Sequence, residues 1–339
     1  MKHFKEFEEK AYSFINDGDN FIIFNDGKAI RCNINEDEVE LEVDNYIDSF
    51  DVCKKKRTDV EEEILSKAYF NNYVHIKKDI NLKLIYLNDD EAYLNFSYEF
   101  KRGVKANLTH IFLSCQKDCM VLRDYNLNDE CEVMNNTFNN YENKVCEYNN
   151  YYLDDKAKLY INDLNINEVE SENINNVYLY SEKASAYVSN SCINASSKLQ
   201  KNNYNIYHDE KKTKSELVGY GVVLNDSTLN MDTCGYIKRG AKNANMHQTS
   251  KGIILDTYSV MQACPLLYID EFDCMASHGA SIGAISEEDV YYLMSRGLSR
   301  YDAEKLIVYG FFNPYLSKLN DDKILAYIQE VIAKKLEMR

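Results

Sequence analysis

Cys264, Cys274 and His278 lie within fifteen residues of one another and carry the softest ligand chemistry in the sequence. Thiolate and imidazole together suit iron, zinc or a nascent iron–sulfur cluster. Against that, cysteines in an arbitrary chain are most often small buried hydrophobes, and His278, set among Ser277, Gly279, Ala280 and Ser281, reads more readily as the cap of a small-residue turn. His110, His208 and His247 have no cysteine beside them and read as structural. Cys115 and Cys119 are close in sequence, but without a second pair that spacing is a weak metal signature.

Other chemistries are excluded more firmly. Residues 235–242, GYIKRGAK, imitate a phosphate-binding loop, but Asn243 follows Lys242 where a Ser or Thr is required, so the chain is not expected to hydrolyse ATP. No GxSxG elbow, HExxH helix or CxxC pair is present. Acidic residues abound, yet no pair marks itself as a glycosidase acid and nucleophile. A formal charge of −16 over 339 residues argues against a nucleic-acid surface. The one basic run, Lys54 to Arg57, reads as a solvated turn. No apolar run reaches the length of a membrane span. The first ten residues resemble neither a signal nor a transit peptide, and the ten cysteines form no compact framework, so a cytoplasmic protein with reduced thiols is expected.

The elements that must position these groups are mostly strands. Phe4, Phe7, Ala11, Phe14 and Ile15 predict a first amphipathic helix, and Asn25-Asp26-Gly27 between two apolar runs predicts a β-hairpin. Thr58 with Glu61 predicts a helix cap. From about Tyr69 onward apolar residues alternate in short runs, with no long helix between them to serve as a crossover. That pattern implies an all-β body of some 200 residues, either a sandwich or barrel of hairpins or a parallel β-helix. Residues 130–170 are so rich in Asn, Asp, Glu and Tyr that they read as a protruding loop.

Helical signals return near the end. Ser286 with Asp289 and Ser299 with Asp302 predict two N-caps, Gly297 a stop for the first helix, and Gly310 with Pro314 a stop for the second. A last helix is expected from about residue 320, with Ile324, Leu325, Ile328, Val331, Ile332 and Leu336 on one face.

The run from Ser277 to Pro314, SHGASIG, then EED, YYLMSRGLS and AEKLIVYGF, resembles the C-terminal signature of the SufB/SufD family of iron–sulfur cluster assembly proteins. Gly219-Tyr-Gly-Val-Val-Leu, residues 235–242, His247-Gln-Thr-Ser-Lys-Gly-Ile-Ile-Leu and Pro265-Leu-Leu-Tyr-Ile extend the likeness upstream as successive rungs, so that it runs from about 217 to 313. The resemblance implies a mainly β fold: a right-handed parallel β-helix (68–276) between a variable, small α/β N-terminal region (1–67) and a C-terminal α-helical domain (277–339).

It also implies a role: a non-ATPase subunit of a SufBCD-type complex, not itself an enzyme, pairing with a SufB-like subunit or a second copy and docking a SufC-type ABC ATPase. The dock would use Glu287, Tyr291, Met294, Arg296, Leu298, Ala303, Leu306, Ile307 and Phe311. His278 matches the histidine held to lie at the cluster site, with Cys274 and Cys264 as neighbouring candidates. No cofactor would be held stably by the chain alone; a transient cluster would share His278 across an interface. The sequence departs from the family at Ser250 and Gly279, where SufB-type subunits carry Cys and Glu, and at Ala276, where SufD-type subunits carry Cys. That leaves the chain SufD-like. A purely structural interaction subunit and a carbohydrate-active β-helix enzyme are the other readings.

Overall fold

The computed structural model describes residues 9–44, 54–167 and 169–337. Phe4, Phe7 and Cys53 lie outside them. Helical residues 9–13 (α1) keep the C-terminal part of the expected first helix, with Ala11 and Phe14 buried. β1 (Asn20–Asn25) and β2 (Lys28–Asn33) form the expected antiparallel hairpin, turning through Asp26 and Gly27, both at positive φ. β3 (Val39–Asp44) pairs antiparallel with β4 (Asn71–Ile76), and α2 (Asp59–Lys67) lies between them in sequence, opened by a complete capping box of Thr58 and Glu61.

Every strand from β4 to β19 joins a parallel β-helix. The strands alternate between two sheets: β5 (Ile80–Asn88), β7 (Lys105–Cys115), β9, β11, β13 (Ser185–Asn194), β15, β17 and β19 in sheet A, and β4, β6 (Tyr93–Phe100), β8 (Cys119–Leu127), β10, β12 (Ser171–Leu179), β14, β16 and β18 in sheet B. Sheet A ends with β15 (Lys214–Val223), β17 (Ala244–Ile254) and β19 (Cys274–Ala284). Sheet B ends with β14 (Leu199–His208), β16 (Thr228–Ile237) and β18 (Val260–Ile269). Successive strands need no helical crossover because each corner is only a few residues long, and one turn of the coil carries the chain up one rung. The all-β body is thus the β-helix and not a sandwich of hairpins.

The corner from each sheet B strand to the next sheet A strand explains how the coils stack. Gly103, Glu130, Lys156, Lys183, Lys212 and Asn243 occupy it in successive turns, all at positive φ. Each donates its backbone N–H to a carbonyl in the corner of the next turn: Asp129, Asp155, Glu182, Lys211, Lys242 and Asp273. The hydrogen bonds hold left-handed backbone that glutamate and lysine adopt only at a cost.

Residues 130–170 are not a protruding loop. They form β9 (Glu132–Asn139), β10 (Val145–Leu153) and β11 (Lys158–Asn167), and their asparagines stack rung on rung. Inside the coil Asn139 donates to Asn165 at 2.9 Å, Asn165 to Asn202 at 3.1 Å and Asn149 to Asn175 at 3.1 Å, around a buried Arg123–Glu147 ion pair. An amide both donates and accepts, so one asparagine can bond to the next from rung to rung.

The Lys54–Arg57 run is not a solvated turn either. Arg57 is buried against Asp124 at 2.8 Å, Lys54 pairs with Asp154, and Lys55 lies across tyrosine rings of sheet B. With Asn150 donating to Glu61 at 2.7 Å, these contacts strap α2 across the outer face of sheet B.

The C-terminal helices fold back over the outer face of sheet A. α3 (Glu287–Ser295) and α4 (Arg300–Leu316) have the predicted serine caps, and Gly297 at φ +96° makes the bend between them. α4 does not stop at Gly310 and Pro314; it continues to Leu316. Proline forfeits one helical hydrogen bond and its ring crowds the carbonyl four residues back, which here belongs to Gly310. Burial of Phe312, Tyr315 and Leu316 on the sheet offsets that loss. α5 (Asp322–Glu337) buries the expected stripe, with Ile324, Ile328, Val331, Ile332 and Leu336 in the same apolar layer as Ile85, Ile111, Phe138 and Leu164 of sheet A. Lys83 ties this layer to the N-terminal part, its ammonium meeting both Asp19 and Asp321.

Candidate functional site

Because the helices cover a face and not an end, the last rung of the β-helix is open. β18 and β19 each pair on one side only, and no other strand among the described residues covers their free edges. Such edges are templates for pairing with another chain. Apolar side chains cluster there: Val260, Leu266, Tyr268, Ile269 and Met275 are exposed, and Phe272, in the corner between the strands, is fully so. Monomeric proteins seldom leave so many large apolar side chains exposed along one end.

The predicted turn at Ser277–Ser281 is strand, part of β19. His278 stands in the inward-facing column Val188, Leu217, Gln248, His278, one residue from each successive sheet A strand. Gln248 is buried, accepting from Thr233 at 2.9 Å; His278 occupies the same column but is exposed, since no further rung covers it.

Cys274 shares the inward register of β19, four residues from His278, or about 13 Å along an extended strand. It donates to the Glu271 carbonyl at 3.2 Å, and partial burial raises its thiol, with Glu271 and Asp273 adding to the effect. Cys264 pairs with Asp232 on the outward register of β18, on the opposite sheet. The three candidates therefore border one open end but do not converge, and no three His, Cys, Asp or Glu side chains among the described residues are placed to hold a metal ion.

Ser250 and Ala276 lie on inward registers of β17 and β19, and Gly279 on the outward one. Cys119 and Cys131 are buried, and the side chain of Cys115 lies outside those described. His110 is enclosed beside Tyr86, and His208 bridges Thr213 and Ser215 with its ring driven by burial to about 3, so both are core histidines. His247 is exposed, its Nδ1 2.6 Å from the Ser277 hydroxyl.

The glycines of the upstream motifs are packing positions, except Gly240, which turns a corner at φ +100°. A Cβ on Gly235 would lie 2.6 Å from the Gln248 amide nitrogen and closer still to the Met246 sulfur, and one on Gly252 would meet Met261. Gly235 therefore belongs to an interior strand and not to a phosphate loop.

The second candidate surface is the outer side of α3 and α4. Tyr291, Met294 and Leu306 are exposed, Arg296 lies over the ring of Tyr292, and Glu287 forms a bidentate pair with Arg300 at 3.0 and 2.5 Å. Leu298, Ile307 and Phe311 are half-buried against the sheet A layer, and Ala303 is wholly buried, so these four support the surface from beneath.

Sequence reasoning missed an aromatic ladder on the outer face of sheet B. Tyr152, Tyr178, Tyr207, Tyr236 and Tyr268 stack at centroid spacings of 5.3, 4.7, 4.6 and 5.1 Å, ending at the open rung. Their recurrence every 26 to 32 residues was the available signal.

These features define a class: a β-helix protein with a strapped outer face, a helical layer and an open, apolar terminal rung. Comparison with known proteins supplies the family. The family model described as the SUF system FeS cluster assembly SufBD core domain matches residues 84–311. Among curated proteins, iron–sulfur cluster assembly protein SufD of Bacillus subtilis is 33% identical over 132 residues, 39% of this chain and 30% of that protein. SufBD family proteins of Pyrococcus horikoshii and Archaeoglobus fulgidus are 38% and 36% identical over 98 and 104 residues, 29% and 31% of this chain and 22% and 27% of theirs. The matches thus span less than a third of those relatives' length. The chain belongs to the SufBD family of iron–sulfur cluster assembly proteins. No helix among the described residues is long and apolar enough to cross a membrane.

Proposed function

We propose that the chain is a non-ATPase subunit of a SufBCD-type complex in the cytoplasm, acting as scaffold partner and adaptor. The open rung carries this reading: unpaired edges of β18 and β19 with exposed apolar side chains need a partner, either a SufB-like subunit or a second copy. His278, at the mouth of the inward column, would contribute one ligand to a cluster whose other ligands come from across the interface. The cluster is cargo, and the chain alone holds none stably. Tyr291, Met294, Arg296, Leu306 and Glu287 would receive a SufC-type ATPase, which supplies the nucleotide chemistry that this sequence lacks.

The separation of His278, Cys274 and Cys264 favours a second reading, in which the subunit only builds the interface. The carbohydrate reading finds less support. A groove of about 690 Å³ on sheet A does hold Asp19, Asp79 and Glu132. However, Asp19 is held by Lys83, Asp79 accepts the Lys105 N–H and Glu132 lies 3.9 Å from the Lys158 ammonium, so these carboxylates have structural employment.

The test is co-purification of the full chain with a SufC-type ATPase. Binding that is lost in Tyr291→Ala/Leu306→Asp supports the dock; no binding by the wild-type chain, or unchanged binding by the variant, removes it.

A further inference from the structure

The tyrosine ladder shows what it recognises by binding part of its own chain. Lys55 places its ammonium 4.7, 5.2 and 5.5 Å from the ring centres of Tyr178, Tyr180 and Tyr207, and 3.2 Å from a carboxylate oxygen of Asp209. A cation between aromatic rings and a carboxylate is attracted by both the ring quadrupoles and the charge.

Farther along the ladder rings and a carboxylate recur without the strap, spread along the strand, with Asp232 four residues, or about 13 Å, before Tyr236. Tyr236 and Tyr268, with Asn203, Asn205, Asp232 and Leu266, line a groove of about 380 Å³. Asp232 Oδ1 is buried and has no hydrogen-bond partner, while Tyr268 is exposed. A lysine or arginine side chain would meet the Asp232 carboxylate with a charge-assisted hydrogen bond, which an apolar or anionic group would not.

We propose that this groove seats a basic segment of a partner protein, with one lysine or arginine at Asp232 and a second against the Tyr236 and Tyr268 rings. The seat lies on the outer face of sheet B and shares Leu266 and Tyr268 with the open rung, but it does not rest on the reading of the helical dock or of His278. The chain's net charge of −16 adds general attraction for basic segments, which the experiment must separate from the seat itself.

The probe is a fluorescein-labelled peptide, Gly-Lys-Lys-Lys-Arg-Gly, titrated with the full chain and followed by anisotropy at low and high salt. Asp232→Asn and Tyr268→Leu should each weaken binding about three- to tenfold, consistent with loss of one charge-assisted or cation–π contact. Glu182→Gln, which removes an exposed carboxylate at a distant corner, should change it less than twofold. Circular dichroism verifies that the variants fold. Equal weakening by Glu182→Gln, or unchanged binding in both groove variants, would show that the peptide only follows net charge and would overturn the proposal.

Discussion

His278 stands beside Gln248 in the parallel register of β19 and β17, yet Gln248 is buried and hydrogen-bonded while His278 is exposed. The two differ because one has a rung above it and the other has none. A subunit that covered the open end would enclose His278 as β19 encloses Gln248. His278→Ala should therefore leave complex assembly intact and lower the iron and sulfide recovered in the reconstituted complex. Unchanged iron and sulfide would remove the histidine from the site and favour the purely structural subunit.

The interior glycines make a packing prediction. Gly235→Ala should destabilise the chain by about 1–3 kcal/mol, because the new methyl displaces Met246 and Gln248 from a filled core. Denaturant unfolding of Gly235→Ala, Met246→Ala and the double variant checks this. The double variant should recover part of the loss, and simple additivity would show that the methyl never meets Met246.

The strap is held by a buried charge pair. Arg57→Ala leaves Asp124 fully buried without its guanidinium and should cost about 3–5 kcal/mol, whereas removing both charges with Arg57→Met/Asp124→Asn should cost less. Thermal or denaturant unfolding measures both. Equal losses would mean that the strap acts through packing alone.

Asp163 sets a pH dependence. Burial pushes its carboxyl up to about 7, and the Tyr204 hydroxyl that donates to it offsets only part of this. A raised acid favours the folded state while protonated, so its contribution is fully present below the unfolded value near 4 and is lost as pH rises through about 7. The loss runs at up to about 1.4 kcal/mol per pH unit within that window. Asp163→Asn should be less stable relative to wild type at pH 5 than at pH 8, and should flatten the stability curve between them. Parallel curves would show that Asp163 does not titrate there.

Local signals in the sequence were legible wherever a few adjacent residues suffice. The Asn25-Asp26-Gly27 turn, the Thr58, Ser286 and Ser299 caps and the stripe of α5 each depend on contacts within one or two helical turns or one hairpin. The coil was not legible from periodicity, because its length drifts: 26 residues separate Glu132 from its partner Lys158, and 32 separate Thr228 from Val260. Its corners are filled by Glu130, Lys156, Lys183 and Lys212, where positive φ invites Gly or Asn, so no regular punctuation marks the turns.

Composition misled for a related reason. Asn136 and Asn162, Asn139 and Asn165, and Asn150 and Asn176 each recur 26 residues apart, and that spacing, not polarity, marks them as ladder residues. His278 could be singled out through the resemblance. Its distance from Cys264 could not, because the two lie on strands of opposite sheets. Arg57 and Lys55 gave no sign of their ion pairs because their partners, Asp124 and Asp209, lie far along the chain.

The most direct test of the account is the mass of the complex formed when the chain is co-expressed with a SufB-like subunit and a SufC-type ATPase, measured by size-exclusion chromatography with light scattering, for wild type and for Leu266→Asp/Phe272→Asp. The account predicts that the wild-type chain elutes with both partners, and that the variant keeps the ATPase but loses the SufB-like subunit or second copy from its open rung. A wild-type chain that elutes as a monomer, or a variant complex of unchanged mass and composition, would contradict it.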